Sequence, residues 1–210
     1  MPVRCLITDY GGVLTAPIGR SWRIWAEKEG LDVEGFERVM TQLCEGGAEA
    51  QFGAGVELGT VTEAELEQYL ARQLRRHDGQ PVLPHGLLQQ LWAALAGEPE
   101  MLGVFRRAKR HGIATALLSN SWGMGYDRTD WDRLFDVVVI SAEVGLRKPD
   151  PEIYRHTLSL LGLQPGECVF IDDLPQNVRA AVEIGMIGVH HTEVDATIVE
   201  LEALTGVPLR

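Results

Sequence analysis

The sequence predicts an α/β protein in which an all-helical segment is inserted into an open parallel sheet. Over most of the chain, short apolar runs rich in β-branched residues alternate with stretches whose apolar residues recur at helical spacing. Strands that alternate with helices form parallel sheets through right-handed crossovers. One long region near the N-terminus breaks the alternation, because its apolar residues follow helical spacing throughout.

Five apolar runs are predicted to be the strands of one Rossmann-like core. They lie at Val3–Thr8, Ile113–Leu118, Val137–Ile140, Val169–Ile171 and Ile187–Val189. Helical patterns precede the second, fourth and fifth of these strands, at Met101–Arg110, Glu152–Leu161 and Asn177–Ile184. Glycine commonly ends a helix because it adopts the left-handed conformation there, and glycines follow these helices at Gly112, Gly162 and Gly185.

Residues 16–97 are expected to form the inserted helical domain, and residues 1–15 and 98–210 the α/β core. Within the insertion, apolar residues recur at helical spacing with no strand-like run between them. Thr62 directly precedes an acidic turn and is predicted to begin one of the helices. The alternative is that this region is one helical face of the core and no separate domain.

The chain has 210 residues and a formal net charge of −11. Such an acidic surface repels nucleic acid and anionic lipid, so we expect neither nucleic acid nor a membrane as a partner. It also repels phosphorylated molecules. Any anion site must therefore be local and neutralised by a metal ion or an inward-facing lysine. The oligomeric state is left open by these features.

The cysteines Cys5, Cys44 and Cys168 are odd in number and lack metal-ligand spacing. They are expected to be buried thiols in a reducing compartment. The N-terminus leads straight into a strand-like run, with no basic region and apolar signal segment before it. No apolar stretch approaches the length of a membrane span. We therefore expect a cytoplasmic protein.

Polar residues lie at or just beyond the ends of the predicted strands. Asp9 follows the first strand, Ser119 the second and Asp172–Asp173 the fourth, while Lys148 lies beyond the third. Open parallel sheets bind their ligands at the carboxyl ends of the strands. These side chains are therefore predicted to converge on one edge of the sheet.

An aspartate after a strand also has a simpler explanation, because it commonly caps the next helix. Asp173 precedes Leu174 and Pro175, and Asp150 precedes a proline that suits the first helical position. Either aspartate alone could be only a cap. What favours a catalytic site is the convergence of a carboxylate, a hydroxyl, an ammonium and a carboxylate pair on one edge.

These residue types suit the hydrolysis of a phosphate ester. A carboxylate can attack phosphorus and form an aspartyl-phosphate, which divides the reaction into two easier steps. Attack by an anion on a phosphate requires charge neutralisation, which Mg²⁺ held by carboxylates supplies. A hydroxyl and a lysine can then hold the remaining phosphoryl oxygens for in-line displacement.

Four segments in order resemble the motifs of the haloacid dehalogenase-like hydrolases. Asp9–Leu14 resembles the first motif, Leu117–Asn120 the second, Gly145–Pro151 the third, and Val169–Asp173, with Asn177, the fourth. The helical insertion has the position of that superfamily's C1-type cap, so the resemblance covers essentially the whole chain. In detail the motifs look most like the branch that includes the N-terminal phosphatase domain of soluble epoxide hydrolase and bacterial sugar-phosphate phosphatases.

The resemblance implies a magnesium site at the first and fourth motifs. Asp9 would be both the nucleophile and a metal ligand. The backbone carbonyl of Gly11 and the carboxylate of Asp173 would be further ligands, and Asp172 would act through water. Asn177 would orient the loop that carries the two aspartates.

The resemblance also implies residues that hold the substrate, a small phosphate ester. Ser119 and Lys148 would bind the transferring phosphoryl group, and Asn120 and Gly12 would contact the substrate. The alternative for Lys148 is a solvated surface lysine beside Arg147.

One position departs from the family's pattern. Phosphatases of this superfamily usually carry a second aspartate two residues after the nucleophile, where it protonates the leaving oxygen, and here that position is Gly11. General acid–base catalysis contributes about 10²- to 10⁴-fold, equivalent to about 3–5 kcal/mol. Family members without this aspartate include dehalogenases, phosphonate hydrolases and some sugar-1-phosphate phosphatases.

Three functions are compatible with these residues. The first is a Mg²⁺-dependent phosphatase acting on a small phosphorylated metabolite. The second is a haloacid-dehalogenase-type hydrolase, which needs neither the acid nor a metal, although Asp172–Asp173 beside Asp9 would be electrostatically costly without a cation. The third is a protein that binds phosphate and metal without turnover. The helical insertion carries no pattern that identifies a substrate.

Overall fold

The computed structural model describes residues 2–44, 47–123 and 125–210. Within these residues, the strands are β1 (Cys5–Thr8), β2 (Ala114–Ser119), β3 (Val137–Ile140), β4 (Cys168–Asp172) and β5 (Ile187–His190). The α-helices are α1 (Ile18–Lys28), α2 (Val33–Cys44), α3 (Gly47–Glu57), α4 (Glu63–Gln73), α5 (Leu87–Ala93), α6 (Pro99–Arg110), α7 (Trp131–Leu134), α8 (Ser141–Val144), α9 (Pro151–Leu161), α10 (Pro175–Glu183) and α11 (Val194–Thr205). A short 3-10 helix at Pro165–Glu167 precedes β4.

The strands form one parallel sheet in the order β3-β2-β1-β4-β5, which confirms the predicted α/β core. The central strand β1 is buried along its whole length. Since successive side chains of a strand point to opposite faces, both faces of the sheet are covered there. Thr8 pairs with Leu117 of β2 and with Ile171 of β4. The residues that follow these three strands therefore meet at one edge of the sheet.

The predicted strands agree with the observed ones to within two residues at each end. The helices α6, α9 and α10 begin one or two residues earlier than predicted, each with proline in the first turn. Proline is tolerated there because its missing N–H would have no helical partner anyway. The predicted helix ends are confirmed by glycines with φ values of 75°, 64° and 95° at Gly112, Gly162 and Gly185.

The two aspartates with a capping alternative behave differently. Asp150 is the N-cap of α9, and its side chain accepts a hydrogen bond from the backbone N–H of Glu152 at 2.9 Å. The N-cap of α10 is Leu174, one residue after Asp173, with no side-chain capping bond. Asp173 therefore does not cap this helix, and its carboxylate is available for another role.

The chain divides into two compact units. One comprises Met1–Thr15, Gly97–Asn120 and Asp127–Arg210, and the other comprises Ala16–Ala96 and Ser121–Tyr126. The second unit thus includes a short segment, Ser121–Tyr126, that lies within the predicted range of the core. This segment lacks helical or strand periodicity, so its sequence carries no signal of the unit to which it packs.

The helical unit has its own apolar core, built by α1 to α5. Trp25 and Phe36 are buried in it, with ring centroids 5.8 Å apart, and Trp22 and Trp92 pack against it. Thr62 begins α4 as predicted. None of these helices, nor any other in the described part of the chain, combines the length and the apolar character that crossing a bilayer demands.

Aromatic contacts attach the segment Ser121–Tyr126 to the helical unit. The indole N–H of Trp122 donates to the carboxylate of Glu57 at 3.2 Å. The rings of Trp92 and Tyr126 lie 5.1 Å apart. A Cβ on Gly125 would overlap the ring of Trp92, so this close approach of backbone to ring requires glycine.

Two of the three cysteines lie opposite each other on neighbouring strands. Cys5 pairs in register with Cys168, and both are fully buried as free thiols. The expectation of burial is wrong for Cys44, which is exposed. Leu43 takes the buried position at the end of α2, and the next residue of a helix points about 100° away from it.

Replacing Thr62 by alanine should lower the free energy of unfolding by about 1 kcal/mol. The Thr62 hydroxyl accepts from the backbone N–H of Glu65 at 3.3 Å, and the Thr62 N–H donates to the Glu65 carboxylate at 2.8 Å. Alanine removes the first of these bonds and leaves an unpaired donor in the first turn. Thr62→Ser keeps the hydroxyl and is the matched control. Chemical denaturation measures both variants, and equal losses would contradict a capping role.

Candidate active site

The carboxyl ends of β1, β2 and β4 bring predicted site residues to one edge of the sheet. Asp9 follows β1, and its backbone N–H donates to the carbonyl of Ile171 in β4 at 2.9 Å. Asp172 is the last residue of β4 and Ser119 the last of β2. One carboxylate oxygen from each of Asp9, Asp172 and Asp173 lies within 4.8 Å of the others. Three acidic side chains thus form one cluster at the sheet edge.

Lys148 lies in the loop between α8 and α9 and points its ammonium into this cluster. Its Nζ is 2.8 Å from Oδ1 of Asp9 and 2.7 Å from Oδ2 of Asp172. The residue is only 1% exposed, so it is not a solvated surface lysine. Burial lowers the pKa of Lys148, but the charges of Asp172 and Asp9 outweigh this effect and raise the pKa above its usual range. The ammonium therefore stays charged.

The two adjacent aspartates of the cluster have different surroundings. Asp172 is fully buried, and besides Lys148 it accepts from the backbone N–H of Leu174 at 2.9 Å and from the side chain of Asn177 at 3.1 Å. Asp173 is partly exposed, and among the described residues no side chain donates to its carboxylate. Asp172 is thus saturated by protein donors, whereas Asp173 is open to a metal ion or to solvent.

The turn after β1 is shaped by the carboxylate of Asp173. Gly12 has a φ of 78°, and a Cβ built there would lie 2.8 Å from Cγ of Asp173 and overlap one of its oxygens. Gly12 therefore makes room for Asp173, a requirement separate from the substrate contact that the sequence implies. Gly11 is buried and does not have a positive φ. The left-handed conformation that favours glycine is therefore not required at Gly11.

Burial raises the pKa of two carboxyls of the cluster. The pKa of Asp9 rises to about 7, because burial and the nearby Asp172 together outweigh the opposing charge of Lys148. The pKa of Asp173 rises to about 6, again through burial first and the charge of Asp172 second. Buried carboxylates this close together are stable as anions only with compensating positive charge.

The donor set fits a magnesium ion. Three carboxylates facing the single ammonium of Lys148 leave an excess of two negative charges, which a divalent cation matches. All of the available ligands are oxygen atoms, as the hard cations Mg²⁺ and Ca²⁺ prefer. The open carboxylate of Asp173 and the second oxygen of Asp9 are the groups that could hold it.

The residues at the end of β2 lie beside this cluster in the sheet order. Ser119 is buried, 3% exposed. The side chain of Asn120, predicted to contact substrate, is paired with the main chain of Lys148, with distances of 3.0 and 2.9 Å. The fold thus brings both residues to the predicted edge. The amide of Asn120 is hydrogen-bonded to the protein's own main chain there.

Two neighbours of the cluster have no role assigned from the sequence. The hydroxyl of Tyr154 in α9 is buried and donates to the backbone carbonyl of Asn177 at 2.9 Å. The Nε2 of His190 lies 3.0 Å from the backbone carbonyl of Asp173, because β5 pairs with β4 so that His190 is opposite Asp172. Tyr154 is an aromatic residue at helical spacing, which predicts only core packing. The position of His190 depends on strand register, which cannot be predicted from one sequence.

The sequence is similar to proteins whose family is known. A family model described as haloacid dehalogenase-like hydrolase matches residues 3–185. The sesquiterpene phosphatase astK of Aspergillus oryzae is 35% identical over 123 residues, covering 56% of this chain and 62% of that protein. Bifunctional epoxide hydrolase 2 of Sus scrofa is 28% identical over 225 residues, covering the whole chain and 40% of that protein. The chain therefore spans less than two thirds of either relative.

A solved structure shares the same fold. The HAD family enzyme bt-2542 from Bacteroides thetaiotaomicron, in complex with magnesium and inorganic phosphate, superimposes with a TM-score of 0.62. The match covers 90% of this chain and 94% of that one, at 22% sequence identity. At that level of identity the similarity concerns the arrangement of strands and helices.

Replacing Gly12 by alanine should weaken both the fold and the binding of Mg²⁺. A side chain in the left-handed region costs about 1–2 kcal/mol, and the new Cβ would in addition displace the carboxylate of Asp173. Displacing a group at a metal site typically costs about 10- to 100-fold in metal affinity. Denaturation in EDTA measures the first effect and calorimetric titration with Mg²⁺ the second.

The control is Gly112→Ala. Gly112 has a similar φ of 75°, and a Cβ there would meet nothing within 4 Å. This variant should lose a comparable amount of stability and keep its affinity for Mg²⁺. Equal metal affinities in the two variants would show that the overlap with Asp173 is unimportant.

Proposed function

Because the chain belongs to the haloacid dehalogenase-like hydrolases, we propose that it is a Mg²⁺-dependent phosphatase that hydrolyses a small phosphorylated metabolite. The observation that carries this proposal is the buried ammonium of Lys148 between Asp9 and Asp172, with the open carboxylate of Asp173 beside them. Such a site combines an anionic nucleophile with the positive charge that a phosphate ester requires. The proposed covalent intermediate is an aspartyl-phosphate on Asp9.

The proposed reaction has two steps, both centred on Asp9. First, a carboxylate oxygen of Asp9 attacks phosphorus, the ester P–O bond breaks, and the leaving oxygen takes a proton from water. Water then attacks the phosphorus of the aspartyl-phosphate, which releases inorganic phosphate and restores the carboxylate. Lys148 neutralises the phosphoryl oxygens, and the hydroxyl of Ser119 holds one of them in place.

The metal would be held by the residues that the protein leaves available. These are Asp9 and Asp173, with the backbone carbonyl of Gly11 as a further oxygen ligand. When bound, Mg²⁺ supplies charge neutralisation to the phosphate and to its leaving oxygen. Asp172 stays with its protein donors and sets the position of Lys148, so its proposed contribution is indirect.

The relatives support the reaction class. One is named a sesquiterpene phosphatase, and a structural neighbour was crystallised with magnesium and inorganic phosphate. A phosphoserine phosphatase of Thermus thermophilus is also similar, 37% identical over 92 residues that cover 40% of this chain and 35% of that protein. The alcohol portions in these names differ. We therefore propose the phosphate ester as the recognised group and no particular alcohol.

A second candidate is a protein that binds phosphate and metal without turnover. The observation that favours it is Gly11, which lacks the carboxylate that usually protonates the leaving group. A haloacid-dehalogenase-type hydrolase fits less well, because the excess negative charge of the cluster would repel a carboxylate substrate unless a cation were present. Turnover of a phosphate ester separates the first proposal from both others.

Replacing Asp9 by asparagine should abolish Mg²⁺-dependent release of phosphate, by about 10⁴-fold or more. Asparagine has nearly the same shape but no anionic oxygen to attack phosphorus. The fold should persist, since the change removes one buried negative charge. Phosphate release from an aryl phosphate, with excess Mg²⁺ or excess EDTA, measures the effect. The control Asp195→Asn alters a carboxylate exposed on α11 and should leave turnover unchanged. Turnover by Asp9→Asn equal to that of the wild type, or turnover by the wild type in excess EDTA, would exclude this mechanism.

The absence of an acid at Gly11 predicts a steep dependence on the leaving group. Without a proton donor, the first step relies on how readily the leaving oxygen departs as an anion, so aryl phosphates should react much faster than alkyl phosphates. Gly11→Asp restores the carboxylate at a position that does not have a positive φ. It should raise the rate with alkyl phosphates by up to about 10²- to 10⁴-fold, and the rate with aryl phosphates by less.

The matched control for this prediction is Gly11→Asn. Asparagine adds a side chain of the same shape without an acid, so it should keep the steep dependence of the wild type. The measurement is kcat/KM for a series of esters plotted against the pKa of the leaving alcohol. A flat plot for the wild type would show that another residue already supplies the proton.

A further inference from the structure

The side chain of Asn120 is joined to the main chain of Lys148 by two hydrogen bonds. Its Nδ2 donates to the carbonyl of Lys148 at 3.0 Å. The backbone N–H of Lys148 donates to its Oδ1 at 2.9 Å. An asparagine amide has one donor side and one acceptor side, and here each side is matched to one group of the same residue.

We propose that Asn120 is a positioning residue that holds Lys148, and through it the ammonium between Asp9 and Asp172. This inference deepens the proposed phosphatase function. It rests on that function, because Lys148 is proposed there to bind the phosphoryl group. It differs from the role that the sequence implies for Asn120, which is contact with the substrate.

The loop of Lys148 needs such an anchor. The carboxylates of Asp9 and Asp172 belong to paired strands, whose backbone positions are set by the sheet. Lys148 belongs to a loop between two helices, outside the strands of the sheet. Its main-chain N–H and carbonyl are hydrogen-bonded to the side chain of Asn120. Because Asn120 directly follows the last residue of β2, the pair of bonds ties the loop to the same sheet that carries the carboxylates.

The burial of the lysine side chain gives the anchor an effect on catalysis. The ammonium lies 2.8 and 2.7 Å from its two carboxylate partners. Because the side chain is only 1% exposed, the close-packed surroundings leave its stem little freedom to compensate for a shift of the backbone. A displacement of about 1 Å in a catalytic group costs on the order of 10²-fold in rate. Asn120→Ala should therefore lower kcat by about 10- to 100-fold.

A double-mutant cycle separates positioning from direct contact with substrate. If Asn120 acts through Lys148, its removal should change little once the ammonium is gone. If Asn120 binds substrate itself, its removal should cost the same in either background. The second site is changed by Lys148→Met, which keeps an apolar stem of similar length and removes the charge.

Turnover of p-nitrophenyl phosphate in excess Mg²⁺ gives the first readout. We expect Asn120→Ala to lower kcat by about 10- to 100-fold in the wild type, and by less than about twofold in Lys148→Met. Arg147→Ala, in the same loop, is the control and should stay within about twofold of the wild type. Equal losses from Asn120→Ala in both backgrounds, or no loss in the wild type, would overturn the proposal.

Amide exchange gives a second readout that does not depend on turnover. The backbone N–H of Lys148, measured by NMR, should exchange at least about tenfold faster in Asn120→Ala, while that of Ile7 in the sheet is unchanged. An effect at Lys148 no larger than that at Ile7 would overturn the pairing. Faster exchange at Lys148 in a protein that turns over no phosphate ester would support the pairing and count against the phosphatase.

Discussion

A single buried ammonium holds this site together, since Lys148 lies between Asp9 and Asp172 with almost no access to water. The carboxylates depend on this ammonium, because removing the single cation of a buried ion pair leaves uncompensated charge at a cost of about 3–5 kcal/mol. The two carboxylates are adjacent because β4 pairs with β1 in parallel. The order of the strands is thus what makes the ion pair possible, and a loop anchored to β2 supplies its positive member.

The two adjacent aspartates of the cluster differ in their hydrogen-bond partners and in their exposure. Asp172 accepts hydrogen bonds from Lys148, Leu174 and Asn177, so both of its oxygens are engaged by the protein. Asp173, the next residue, is partly exposed, and its carboxylate lies against Gly12. Neighbours in sequence thereby have different surroundings, because one ends a buried strand and the other begins the loop that follows.

The local features of the fold were predictable from the sequence to a large extent. Strand positions were correct to within two residues, and Thr62, Asp150 and the helix-ending glycines act as their chemistry predicts. The errors have a common physical origin. Cys44 is exposed because Leu43 occupies the buried side of its helix, and the segment Ser121–Tyr126 packs with the helical unit through ring contacts that have no periodicity.

The sequence by itself determined which polar residues lie at the strand ends and that they share one edge of a parallel sheet, because strand ends and motif order are local properties of the chain. Only the tertiary structure decided which of these residues contact one another. Lys148 lies between two carboxylates, and the amide of Asn120 is hydrogen-bonded to the main chain of Lys148. Asp172 accepts hydrogen bonds from protein donors, whereas no described side chain donates to the carboxylate of Asp173. All of these features depend on distances between segments far apart in the chain. Such distances follow from strand order and register, which a single sequence does not encode in any local pattern.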